Sequence, residues 1–564
     1  MRINWWSMTR LTSLPLLICL TASCGSGNGS GPAPVTEDVT TDIPATTPVH
    51  VAFAGGGWRA HTGHAGWTMS LLEDGAYTLD QAFSNVQTLS SNSGGTWFMT
   101  MLTYSAAFSA SIEAQGAFAN YVSPQGYLGQ EETLFGDFSS ALVGSNWCPF
   151  NESEPVFYFY CRLASIAGDA ALIWTDIVSN VVFEPFGMNE TLETSPTVLS
   201  DARQSWAADK SLLIAATMLT HHAVLTESEY LLDKVYYDAT LSSGGPEQIN
   251  VTPVTFASVQ AGKTPPPFLS AGAFEVVYTD ADTGDSSEAT FIRSSVSDSV
   301  PVLLATAASS AAMGAAASYS VLLDNGYEPL TWELAYELSD LAVPVTMASP
   351  IAGGTPAALT ASELADAKFA RLGDGGYLDN SAVAQLVSFL QANEQATNFQ
   401  IVAFDNVQEL YTPTDGGTKA GAPIGVDTAL LFGQGDQNQV CAGTGTDKFC
   451  VSVPVQQVFA SDPFGTTTAS WQWPSGGFEL ATLSYTQYTV TTVDNATFGL
   501  AAGSKGILHV FTSVSPGADT APWNGASDFD AYEAMLTAIQ TGLQANGKEG
   551  LGYLRAALAG TASP

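Results

Sequence analysis

The sequence predicts an α/β protein with a mainly parallel central sheet flanked by helices, and three observations carry that prediction. Short apolar runs end in glycines and give way to helical periodicity, in VHVAFAGGG (49–57) and in KFARLGDGG (368–376). Further strand-like runs, VQTLS (86–90) and FQIVAF (399–404), restart the pattern at separated points. Alternation of strand, turn, helix and strand is what parallel pairing requires, because each crossover needs a helix-length connection.

Taken in order, VHVAFA (49–54) reads as a short buried strand stopped by Gly55. Trp58 to about Leu72 reads as a helix, in which Gly63 and Gly66 lower the propensity but permit close approach. VQTLS is the second strand, followed by a turn and the helix-like TWFMTMLTYSAAF (96–108). Farther on, a strand ends at Asp374, and a helix capped by Asn380 or Ser381 leads into FQIVAF. YTQYTVTTVDNATFGL (485–500) alternates like sheet, and Phe529, Tyr532, Leu536, Ile539 and Leu543 mark one face of a C-terminal helix. With no internal repeat or linker, residues 48–564 read as one large domain with insertions.

The ends and the charge bound what this domain does. MRINWWSMTRLTSLPLLICLTASC has basic residues, a short apolar run and then small residues, which is the layout of a secretory signal over residues 1–24. LTASC also approximates a lipobox, with Thr21 where a leucine is usual, so cleavage and lipidation at Cys24 both stay open. Residues 25–47, rich in Gly, Ser, Pro and Thr, form a linker without hydrophobic periodicity. The expected location is therefore extracytoplasmic, as a secreted protein or a cell-surface lipoprotein. Lys and Arg total 16 against 54 Asp and Glu, and the net charge of −38 repels nucleic acid and anionic membranes. Once the leader is removed, Cys148, Cys161, Cys441 and Cys450 remain, and of their three pairings the local one joins Cys148 to Cys161 and Cys441 to Cys450. Asn151, Asn189, Asn250 and Asn495 lie in sequons that matter only in a glycosylating host.

Three pieces carry chemistry. Gly55-Gly56-Gly57, between strand and helix and followed by Arg59, can turn backbone N–H groups toward one point and let an oxyanion approach. Ser93 in SSNSGGTWF (90–98) stands between strand and helix with Gly94 and Gly95 behind it, as a nucleophile elbow does, although Ser91 replaces the usual first glycine. Asp374 in GDGGYLDN (373–380) sits at a strand end, where an acid can accept a serine proton. His509, in KGILHVF (505–511), completes the order Ser, Asp, His of a hydrolase triad, or is a core histidine. His61 and His64, three apart on a helix, have no third ligand at zincin spacing, so no metal is expected. His221-His222 reads as structural or surface.

GGGWRA, the Ser93 elbow and the DGG of residues 374–376 resemble the catalytic domain of the cytosolic phospholipase A₂ and fungal phospholipase B (lysophospholipase) family, in the patatin-like superfamily. The resemblance rests on short motifs over residues 48–405, and AASSAAMGA (307–315) is similar to a small-residue helix of that superfamily. It implies a patatin-like fold and a Ser–Asp dyad without histidine, with Ser93 as nucleophile and Asp374 as base. It further implies Gly55, Gly56 and Gly57 as the oxyanion loop and Arg59 as the anion-binding residue. No cofactor is implied, and the expected partner is a phospholipid or lysophospholipid at a membrane or micelle surface, zwitterionic given the acidity, with no protein partner. Two alternatives stand beside this: an esterase with a Ser93–Asp374–His509 triad, and a catalytically inactive lipid-binding homologue.

Overall fold

The computed structural model describes residues 47–133 (except 74 and 76), 178–188, 197–221, 225–226, 249–266, 273–279, 286–293, 300–311, 345–349, 357–359, 371–393, 398–415, 418–419, 423–434, 439–442, 449–452, 456–461, 467–473, 481–519 and 526–561. The leader, the linker through residue 46, Cys148, Cys161, Asn151, Asn189 and His222 lie outside the described residues.

Nine strands make one mixed sheet: β1 (Val49–Phe53), β2 (Val86–Asn92), β3 (Ser211–His221), β4 (Ile249–Ser258), β5 (Arg371–Asp374), β6 (Phe399–Val407), β7 (Thr467–Trp473), β8 (Thr482–Thr491) and β9 (Lys505–Val514). Its centre, in the order β3-β2-β1-β6-β9, is parallel throughout. Antiparallel strands finish both sides, β4 and β5 on β3, and β8 then β7 beyond β9. The mainly parallel α/β class predicted from the sequence is thus the observed one, with antiparallel edges added.

Parallel strands are covered on both faces and read as unbroken apolar runs, and every residue of β1 and β6 is buried. Their side chains alternate between two cores. On β6, Val402 and Phe404 point to one, and Phe399, Ile401 and Ala403 to the other. The first core takes in α1 (Gly57–Leu72), α2 (Ser93–Tyr104), α3 (Val302–Ser309), α6 (Ala526–Gln544) and α7 (Glu549–Leu558), and the second α4 (Val383–Ala392) and α5 (Val426–Leu431). The predicted face of α6 is buried from Phe529 to Leu543. It meets α1 at Gly66, where a Cβ would lie 3.1 Å from the side-chain ends of both Leu536 and Ile539, a tight approach that a larger residue would have to push apart by a few tenths of an ångström. Under the end of β1, Phe53 stacks on Phe404 at 5.7 Å and meets Phe98 edge-on at 5.4 Å. That aromatic cluster anchors the end of β1, from which the glycine turn leaves.

The structure departs from the predicted elements in three places. The helix expected over 96–108 is two helices: Ser105 is extended, and its Oγ accepts from the Phe108 N–H at 3.1 Å to cap a second helix, Ala106–Glu113. β5 is short and antiparallel to β3, where a parallel strand was expected. The N-cap of α4 is Ala382, neither Asn380 nor Ser381, and its first-turn N–H groups are met from the preceding turn, Ala384 by Asp379 Oδ2 at 2.6 Å and Val383 by Ser381 Oγ at 3.1 Å.

Between β4 and β5 in the sequence, segments 273–279, 286–293, 345–349 and 357–359 join 225–226 in a separate five-stranded sheet. In the antiparallel pair Gln439–Ala442 and Phe449–Ser452 the register sets Cys441 opposite Cys450. Asn495 is buried, its side chain bonded to the Thr497 N–H and the Gln457 carbonyl. Among the described residues no helix is long and apolar enough to cross a membrane.

Candidate active site

One strand edge assembles the site. β2 runs along β3 as far as the pair Asn92–Ala215, and β5, arriving from the opposite direction, ends at the pair Asp374–Ala216. The two strands therefore meet head-on on consecutive rungs, and the residue after β2 faces the last residue of β5. Those residues are Ser93 and Asp374, 281 positions apart in the chain, and Ser93 Oγ donates to Asp374 Oδ2 at 2.7 Å.

Ser93 is held in an unusual backbone. Its φ of 49° is positive, a region that costs a non-glycine residue about 1–3 kcal/mol and persists only where the surroundings enforce it. The enforcement is visible. The Ser93 N–H donates to Ser309 Oγ at 3.0 Å, and Gly94 packs on the backbone of Gly57, whose nitrogen would lie 2.7 Å from any Cβ there. Gly95 sits against the Ala54 carbonyl, 2.6 Å from where a Cβ would be. Ser91, in the place of the expected elbow glycine, is accommodated because its Oγ accepts from Thr96 Oγ1 at 3.0 Å.

Asp374 is 6 % exposed, and burial raises its pKa to about 6. Hydrogen bonds from Ser93, from the Gly376 N–H (2.7 Å to Oδ1) and from the Asn92 side chain pull the other way. α3 supports both halves of the pair, since Ser309 also accepts from the Gly375 N–H through its carbonyl at 3.3 Å, and Ala311 accepts from the Asp374 N–H at 3.3 Å. Of AASSAAMGA, the stretch through Ser309 is helix, and residues 312–315 lie outside the described residues.

The glycine loop borders the pair but divides its tasks. Gly56 and Gly57 have φ of 127° and 57°, are half-buried, and their N–H groups have no acceptor among the described residues. They also open α1, whose N-terminal dipole favours negative charge. Gly55 departs from the oxyanion role expected of it. Its N–H donates to the Asn380 carbonyl at 2.8 Å, which leaves no donor to offer. Arg59 is buried beneath the loop, with Nε on the Asn406 carbonyl at 2.9 Å, Nη1 directed at the Ala518 carbonyl at 3.4 Å, and Nη2 beside Gly56. Burial lowers its pKa, and the nearby acids Asp427, Asp519 and Asp405, with Tyr532, counter that.

Two of those acids form a second buried group. Asp427 accepts from Asn380 Nδ2 at 2.7 Å and Asp405 from Thr428 Oγ1 at 2.8 Å. Burial raises their pKa values, Asp427 to about 7, lifted further by the Asp405 charge, and Asp405 to about 6, while Arg59 lowers both.

The structure does not bring His509 to this site. It lies in the middle of β9, opposite Val402 of β6, and its ring nitrogens face the Tyr485 hydroxyl at 2.9 Å and Gln400 Oε1 at 3.4 Å. β9 is three strands from β2, about 14 Å at ordinary strand spacing. His61 and His64 are also engaged elsewhere, His61 with the Tyr121 hydroxyl at 3.0 Å and His64 with the Ala54 carbonyl at 2.8 Å and the Asn406 side chain at 3.2 Å. Sequence reasoning missed Asn92, Ser309, Asp405 and Asp427, and gave Asn380 a different task. The signal available was the placing of short amides directly at the ends of β2 and after the 373–376 turn.

No protein-family model matches this chain, and no curated protein sequence matches it either.

Proposed function

We propose that the protein is a serine acyl hydrolase acting on phospholipids or lysophospholipids through a Ser93–Asp374 dyad. The observation that carries this reading is the 2.7 Å hydrogen bond from a strained serine at a strand–helix elbow to a buried carboxylate. Beside it the amides of Gly56 and Gly57 are open. In the proposed reaction Ser93 Oγ attacks the acyl carbonyl while its proton passes to Asp374 Oδ2. The Gly56 and Gly57 N–H groups hold the oxyanion, and Asp374 returns the proton to the leaving alkoxide as the ester C–O bond breaks. Water then attacks the acyl-enzyme by the same proton path and releases the fatty acid.

The lipid substrate, the patatin-like fold and an extracytoplasmic location rest on the motif resemblance and the N-terminal sequence. The acidity of the chain favours zwitterionic over anionic lipid surfaces. Release of fatty acid from lysophosphatidylcholine and phosphatidylcholine, compared with the Ser93→Ala protein, tests the proposal. Release that needs Ser93 is the expected result. Binding to liposomes with no release above the variant would replace it with the inactive lipid-binding reading.

A further inference from the structure

Asn380 makes three contacts that converge on both halves of the site. Its carbonyl takes the Gly55 N–H at 2.8 Å, its Oδ1 accepts from Asn92 Nδ2 at 3.0 Å, and its Nδ2 donates to Asp427 Oδ2 at 2.7 Å. Asn92, fully buried, packs with Asp374 around the Gly375–Gly376 turn, and its amide favours the ionised carboxyl of Asp374. One residue thus fixes the start of the glycine loop and, through Asn92, the base, while its own amide is oriented by Asp427. The packing leaves little freedom. A Cβ on Gly376 would lie 2.9 Å from Asn380 Oδ1, 3.0 Å from Asp374 Oδ1 and 3.3 Å from Asn92 Nδ2.

We infer that Asn380 is the positioning residue of the site, and that the Asn380–Asp427 hydrogen bond keeps the Ser93–Asp374 pair and the Gly56–Gly57 amides in register with one another. The inference rests on the proposed hydrolase reading. An amide suits this place because it offers an acceptor to Asn92 and a donor to Asp427 at once, with no charge of its own. The charged and titratable groups around it are Asp374 and Asp379 on its own turn, Asp427 on α5, Asp405 on β6 and Arg59 on α1.

The test is the rate at which a fluorophosphonate modifies Ser93 between pH 5 and 9 in the full-length wild type, Asn380→Asp, Asp427→Asn and the double variant, each checked for folding by thermal melting. In Asn380→Asp two carboxyls face each other and bond only while they share a proton. Labelling should therefore fall at least tenfold on the alkaline side, where the wild type is flat. Asp427→Asn alone still offers an amide oxygen to Asn380 Nδ2 and should label within about threefold of wild type. The double variant exchanges donor and acceptor but keeps the bond, so its rate should return to within about threefold of wild type. A role in folding alone would lower stability without an alkaline limb and without rescue by the exchange. A wild-type-like rate in Asn380→Asp, or a double variant no faster than Asn380→Asp, would overturn the inference while leaving the hydrolase reading intact. Absence of labelling at Ser93 in the wild type would overturn both.

Discussion

Ser93, at the end of β2, and His509, within β9, both sit on strands of the parallel sheet's centre, yet the fold gives them opposite surroundings. Ser93 follows the last residue of β2, at the carboxyl end of the sheet, in a strained backbone and against open glycine amides. His509 sits in mid-strand, with both ring nitrogens engaged and a pKa that burial lowers to about 3. The difference teaches that place along a strand decides chemistry. At the strand end successive loops converge and backbone donors are left over, whereas in mid-strand the ladder takes the backbone groups and the two cores bury the side chains.

Several changes would break or sharpen that contrast. Ser93→Ala is expected to abolish covalent labelling and to lower ester hydrolysis by about 10⁴-fold or more, measured by initial rates. Asp374→Asn keeps the shape but removes the proton acceptor, and about a 10³-fold fall in kcat at pH 8 is expected, with thermal stability preserved. Phe53→Ala, which removes the centre of the Phe53–Phe98–Phe404 cluster at the end of β1, should lower folding stability by about 3–5 kcal/mol in denaturant titration. The pH profile separates the two regions more finely. Asp374 must be ionised to accept the proton, and its pKa is raised to about 6, so kcat/KM should drop about tenfold per unit below pH 6 and level off above it. A histidine base with the pKa of His509 would be neutral throughout that range and would impose no such limb. His509→Gln is the smallest effect, with hydrolysis within about twofold of wild type.

Much of the scaffold was legible in the sequence because it follows from local patterning. A glycine-stopped apolar run marked β1, a plain apolar run marked β6, and the face of α6 was readable from its apolar spacing. The pieces of the site were legible as strand-end motifs, but their union depends on β2 and β5 meeting along β3, which no local pattern encodes. The antiparallel direction of β5 was hidden for the same reason. Gly55 read like its two neighbours until Asn380, 325 positions away, took its N–H. The first-turn N–H groups of α4 are met by Asp379 and Ser381, and that left the Asn380 side chain for the site. Side-chain hydrogen bonds over such separations are products of the assembled fold.

The central claim is that Ser93 is a nucleophile activated by Asp374 alone. Its most direct test is to treat the purified protein with a fluorophosphonate probe and map the modified residue by mass spectrometry in wild type, Asp374→Ala and His509→Ala. An adduct on Ser93 that requires Asp374 and persists without His509 is expected. An adduct that also requires His509, or none on Ser93, would contradict it.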